Sequence, residues 1–72
     1  HGRVTSISTA PRGSAPMLQV EVWDETGGIT LNFLGRRDLA GLEVGMEMRA
    51  EGMVGEEDGQ LVILNPSYEL LI

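Results

Sequence analysis

Apolar and polar residues alternate on both sides of a short turn in the first half of the chain. The alternating apolar positions are Leu18, Val20, Val22, Ile29, Leu31 and Phe33. A period of two is typical of strands with one face on a core and the other in solvent. The intervening Asp24–Gly28 stretch predicts a hairpin turn, because Asp can accept from a backbone N–H two residues on and Gly tolerates positive φ.

The same pattern divides the rest of the chain into further strands. The predicted strands run over residues 2–9, 17–23, 29–34, 46–54 and 60–65, and residues 68–72 form either a sixth strand or a clamp on the end of the barrel. Val4 and Ile7 lie three apart, which predicts a bulge in the first strand. Residues 10–16 hold two prolines and a glycine, so we expect a loop there.

The connection between the third and fourth strands is too short for an independent helix. It can form one helical turn with Asp38 as N-cap and Leu39 and Leu42 packed under the sheet. Gly52 is expected where the fourth strand bends. Five strands with this helical turn between the third and fourth predict an all-β, five-stranded OB-fold barrel.

Size and composition limit the options. Seventy-two residues form one domain, predicted to span residues 1–72. There is no cysteine, hence no disulfide or thiolate chemistry, and no apolar run of membrane-spanning length, so a cytoplasmic location is expected. The start at His1 and the apolar end at Leu70–Ile72 predict a fragment, or the ordered part, of a longer protein.

Charge is distributed unevenly along this acidic chain. The net charge is −6, which argues against a general polyanion binder. Residues 1–37 carry four arginines and three acids, a net +1, whereas residues 38–72 carry one arginine and eight acids, a net −7. A phosphate is therefore expected to be tolerated only by the first half.

The ordered motifs resemble a known family. They comprise Asp24-x-Thr26-Gly27-x-Ile29-x-Leu31-x-Phe33, Gly45, Glu51-Gly52-x-Val54 and Asn65-Pro66-x-Tyr68. Together they resemble the OB-fold nucleic-acid-binding superfamily that includes anticodon-binding domains and the wedge domain of the RecG helicase. With Phe33-Leu34-Gly35-Arg36-Arg37, the chain looks most like small actinobacterial OB-fold proteins. The resemblance implies a bacterial protein that binds DNA or RNA. Leu34, however, stands where the helicase wedge has an aromatic residue.

The candidate binding residues lie on or beside the solvent face of the second and third strands. They are Arg12, Gln19, Trp23, Thr30, Asn32, Arg36 and Arg37. Trp23 can stack on an unpaired base, or it can pack over a loop or a neighbouring subunit. Arg36 and Arg37 suit phosphate, although ion pairs with nearby acids are equally open to them. Arg12 is expected in the first loop, where it could contact a nucleic-acid backbone. Phe33 is expected in the core.

Other chemistry has little support in the sequence. The acids at residues 24–25 and 56–58 fit turn formation and solubility better than a metal site. His1 is the sole histidine, and no nucleophile–base set appears, so we expect a non-enzymatic protein without a cofactor. The favoured hypothesis is weak binding of single-stranded or locally opened nucleic acid. The alternative is a protein-interaction module, including a homodimer, that uses exposed Trp23, Leu34 and Met53.

Overall fold

The computed structural model describes residues 1–13 and 15–71, apart from the side chains of Pro11 and Arg12. The strands are β1 (Gly2–Arg12), β2 (Ala15–Asp24), β3 (Gly27–Leu34), β4 (Glu47–Glu51), β5 (Val54–Glu57), β6 (Gln60–Leu64) and β7 (Ser67–Leu71). The described residues contain no helix, hence none long and apolar enough to cross a membrane. The protein is all-β, as predicted.

The seven strands form one curled, open sheet in the order β5-β6-β3-β2-β1-β4-β7. All neighbours are antiparallel except β3 and β6, which are parallel. The prediction of a closed five-stranded barrel was therefore wrong in this respect. Pairing is interrupted at Gly52–Met53, where the predicted fourth strand bends as expected: β4 ends at Glu51, and of β5 only Val54 belonged to that predicted strand. A second interruption at Asn65–Pro66 separates β6 from β7.

One face of the curled sheet holds the core. Its buried apolar residues are Val4, Met17, Leu18, Val20, Val22, Leu31, Phe33, Leu39, Met48 and Ile63. The predicted bulge is present in β1, where Val4 pairs with Val22 and Ser6 with Glu21, leaving Thr5 as the extra residue. The bulge lets Val4 and Ile7 both face the core although they are three residues apart.

The first connection is much shorter than the predicted loop over residues 10–16. β1 and β2 continue as an antiparallel pair to Pro11↔Pro16 and Arg12↔Ala15. Proline lacks an N–H but has the extended φ of a strand, and Gly13 turns the chain at a φ of 63°. Composition alone therefore misjudged this segment. Ser14, which was part of the prediction, lies outside the described residues.

Residues 35–46 form isolated turns instead of the predicted helical turn. The Leu42 N–H donates to the Leu39 carbonyl at 3.1 Å, and the Met46 N–H donates to the Glu43 carbonyl at 3.2 Å. Gly41 and Gly45, with φ values of 79° and 98°, break any continuous helical path between them. Packing was predicted correctly, since Leu39 is buried and Leu42 packs against the core.

The β2–β3 turn has the predicted chemistry. An oxygen of the Asp24 carboxylate accepts from the Thr26 backbone N–H at 2.7 Å and from the Thr26 hydroxyl at 2.6 Å. Gly27 supplies the positive φ, at 134°. The Thr26 hydroxyl and then its N–H stabilise the charged carboxylate and lower the pKa of Asp24 below its ordinary value of 3.8.

This lowered pKa gives a pH-dependent contribution to stability. The unfolded chain binds a proton at Asp24 at a higher pH than the folded chain. The ionised carboxylate therefore contributes fully to the free energy of unfolding above pH 3.8, and this contribution is lost as the pH falls through the pKa of Asp24 in the folded protein. We expect an NMR titration to place the Asp24 midpoint below 3.8, and Asp24→Asn to flatten the acid limb of the unfolding curve. A midpoint at or above 3.8 would contradict the assignment of this hydrogen-bonded turn.

Candidate nucleic-acid interface

An open groove crosses the outer faces of β1, β2 and β3, and the turn between β5 and β6 forms one wall. The lining residues of this outer groove are Ser6, Ser8, Gln19, Glu21, Thr30, Asn32, Glu57, Asp58, Gln60 and Val62, around a volume of about 380 Å³. Three of the predicted site residues, Gln19, Thr30 and Asn32, therefore meet in one place. Hydroxyl and amide groups dominate the lining.

Gln19 and Asn32 face each other across the β2–β3 pair. The Gln19 side-chain amide donates to the Asn32 side-chain oxygen at 3.3 Å. Asn32 borders the outer groove but is only 4% exposed, so it is more deeply buried than the prediction of a solvent-facing position implied. Its backbone carbonyl also accepts from the Asn65 N–H at 2.7 Å, which ties it to the end of β6. This pairing holds the two amides in a defined arrangement.

Trp23 lies at the β2–β3 turn end of the outer groove. It pairs with Gly28 across the β2–β3 ladder, and its side chain is half exposed. The indole lies over Gly28 so closely that any side chain there would displace the ring. A smaller depression of about 250 Å³ beside the indole shares Glu21, Thr30 and Gln60 with the outer groove. A flat aromatic face and a polar groove are therefore adjacent.

Arg36 and Arg37 lie at the other end of β3. From Gly28, beside Trp23, to Leu34 the strand rises by about 20 Å, and Arg36 lies two residues beyond the end of β3. Both arginines are exposed, and the Arg37 carbonyl accepts from the Thr9 hydroxyl at 3.4 Å. Arg12 ends β1 near this end of the sheet, but its side chain lies outside the described residues. The predicted arginines are thus not grouped around Trp23.

A cation that the sequence did not single out does lie beside Trp23. Arg3 is opposite Trp23 in the β1–β2 register, and its guanidinium donates to the Gly45 carbonyl at 3.4 Å. Arg49, by contrast, forms an exposed ion pair with Glu69 at 3.0 Å. The pairing of Arg3 with Trp23 depends on the bulge in β1, which shifts the β1–β2 register between Val4 and Ser6.

The outer groove itself is acidic. Glu21, Glu57 and Asp58 border it, and no arginine does among the described residues. Glu57 and Asp58 belong to the acidic second half of the chain, where phosphate was not expected to be tolerated, and they will repel phosphate from the middle of the groove. No group of three or more His, Cys, Asp or Glu side chains in residues 1–13 and 15–71 could hold a metal ion.

The sequence pattern missed the contribution of β1 to this face. Ser6 and Ser8 extend the hydroxyl and amide lining by one strand. Their alternation was visible, but the bulge at Thr5 had to be placed before their side could be assigned. Phe33 is buried as expected, with its ring edge-on to Tyr68 at a centroid distance of 5.5 Å.

No protein-family model, curated protein or solved structure matches this chain. Its function must therefore be inferred from the outer groove and the groups at its two ends.

Proposed function

We propose that this protein is an OB-fold module that binds single-stranded or locally opened DNA or RNA weakly. The observation that carries the proposal is the outer groove, where Gln19, Thr30 and Asn32 meet beside the half-exposed indole of Trp23. Hydroxyl and amide groups can pair with base edges, and an indole can stack on any base. An open groove with both features suits unpaired nucleotides better than a duplex.

The order of pairing supports an OB-fold. β4 and β5 pair in turn with β7 and β6, so residues 47–57 and 60–71 form one long hairpin with a bend in each arm. If each bent arm is counted as one strand, five strands remain. The second arm is parallel to β3, and the first arm returns to pair with β1. That circular order is the one expected of a small Greek-key barrel of this type.

The distribution of charge defines how a strand would lie. Bases would face the outer groove, with one stacked on Trp23 and others hydrogen-bonded to Gln19, Thr30 and Asn32. The phosphates would stay away from the acids and reach Arg36 and Arg37, with Arg12 as a further contact. Two or three phosphate contacts give weak binding and a shallow salt dependence, about −0.7 per contact.

The direct test is fluorescence anisotropy with labelled oligo(dT) and oligo(U) of about ten nucleotides, within the range that one OB-fold covers. We expect Trp23→Ala to weaken binding at least about fivefold, the low end of the energy of one base stack. Val44→Ala is the control, because Val44 is 61% exposed on the loop between β3 and β4 and does not line the outer groove. Replacing Arg36 and Arg37 with glutamine should reduce the salt slope by about 1.4, whereas Arg49→Gln should leave it unchanged.

The proposal fails if neither oligonucleotide changes in anisotropy at low salt and high micromolar protein. It also fails if Val44→Ala and Trp23→Ala weaken binding equally, since the contact would then not involve the outer groove.

The second candidate function is a protein-interaction module. It is favoured by apolar side chains that lie away from the outer groove, above all Met53, which is 90% exposed, and Val44 on the loop between β3 and β4. A concentration-dependent dimer in sedimentation, with Trp23 hidden from quenchers, would support this candidate as a homodimer.

A further inference from the structure

One side of the bent arm formed by β4 and β5 has no strand partner over residues 50–57 among the described residues. β1 pairs with this side of β4 only at Gly2↔Met48 and Arg3↔Glu47. The opposite side is occupied by β7 and then β6. We call the unpaired side the open edge. Exposed edges of this kind can add a strand from another chain through backbone hydrogen bonds.

The open edge borders an apolar cavity of about 300 Å³, which we call the apolar mouth. Its apolar lining includes Val22, Ile29, Met48, Ala50, Val54 and Ile63. Ala50 and Val54 lie on the strands of the open edge, so alternate residues of an added strand would point into the apolar mouth. Apolar side chains placed there would be removed from water, which strand pairing alone does not provide.

The other face of the open edge is negatively charged. Glu47, Glu51 and Glu57 are exposed on β4 and β5, as is Asp58 in the following turn. The single cation of these strands, Arg49, is already paired with Glu69. A strand with basic residues on its outward positions would therefore be attracted here, and an acidic or polyphosphate ligand would be repelled.

We propose that the open edge binds an extended peptide in which apolar residues alternate with lysine or arginine. The peptide runs antiparallel to β4, in line with β1, with its apolar residues in the apolar mouth and its basic residues beside Glu51 and Glu57. This partner surface shares Glu57 with the wall of the outer groove but none of Gln19, Thr30 and Asn32, and it makes use of acids that oppose nucleic-acid binding.

The test is NMR titration of the full chain with a peptide of about eight residues in which valine and lysine alternate. We expect shifts and slower amide exchange confined to residues 50–57 and the apolar mouth. Binding should weaken with added salt, because the attracting charges are exposed. Glu51→Gln and Glu57→Gln should each weaken binding about two- to fivefold, and Glu43→Gln, on the loop before β4, should not.

Two control peptides of equal length separate charge attraction from apolar burial. A valine–glutamate peptide reverses the charge, and a serine–lysine peptide removes the apolar side chains. Both are expected to bind far more weakly than the valine–lysine peptide. The proposal is overturned if the serine–lysine peptide binds as well, because attraction would then be charge alone. It is also overturned if shifts map to Gln19, Thr30 and Asn32 of the outer groove. It is overturned as well if residues 50–57 are already protected in a concentration-dependent dimer, because a second copy would then occupy the edge.

Discussion

Replacing Leu31 with alanine is expected to lower the free energy of unfolding by about 3 kcal/mol. Leu31 is 1% exposed at the centre of β3, which is hydrogen-bonded to β2 and β6. Truncation loses the transfer free energy of the side chain and leaves a cavity that the flanking strands cannot easily fill. The free energy of unfolding of a 72-residue domain is only about 4–11 kcal/mol, so this loss is a large part of it. The midpoint of thermal unfolding should fall by more than about 10 °C.

Leu34→Ala on the same strand is the matched control. It makes the same chemical change three residues away, at a position that is 46% exposed. We expect a loss of at most about 0.5 kcal/mol by urea unfolding. Equal losses for the two variants would mean that β3 does not present its faces in the described register.

Asn65→Ala is expected to lower the free energy of unfolding by about 2 kcal/mol, which is large for an exposed residue. Asn65 has a φ of 50°, a left-handed conformation that alanine adopts only with strain. Its side-chain oxygen accepts from the Leu34 N–H at 2.9 Å, and its own N–H donates to the Asn32 carbonyl at 2.7 Å. Alanine would lose the first of these bonds and strain the bend between β6 and β7.

Two further variants separate these contributions. Asn65→Gly allows the left-handed φ without strain and loses only the side-chain bond, so about half of the destabilisation should remain. Asn65→Asp keeps an acceptor oxygen and should restore protection of the Leu34 amide in hydrogen exchange. If glycine proves as harmful as alanine, backbone strain at this bend is not part of the cost.

The strands could be predicted from the alternation of apolar and polar residues, because a strand with one buried face requires an apolar residue at every second position. The β2–β3 hairpin was predicted within one or two residues. Every second residue of each strand meets the core, namely Leu18, Val20 and Val22 on β2 and Ile29, Leu31 and Phe33 on β3, and the Asp24 turn has a distinctive chemistry. The β1–β2 connection was not predicted, because prolines occupy paired positions there. The bend at Gly52 was predicted correctly. The division of this arm into β4 and β5 depends on its pairing with β7 and then β6, which no local pattern specifies.

The candidate site was predicted less completely than the sheet. Gln19, Thr30 and Asn32 were placed together because strand register brings them together. The separation of Trp23 from Arg36 and Arg37 also follows from strand register, because Trp23 pairs with Gly28 at the start of β3 and the arginines follow its end. The sequence analysis had nevertheless grouped all three residues in one binding site. Ser6 and Ser8 could not be found without knowing how the chain passes Thr5.

The bulge at Thr5 also determines where β1 can change length. Because Thr5 stands outside the pairing, its deletion would leave Val4 and Ile7 on the inside and Ser6 and Ser8 on the outside. Deleting Ile7 would instead exchange the two sides for every residue beyond it and would place Ser8 on the inner face. In any library of insertions and deletions, tolerance within β1 should therefore be concentrated at this one position.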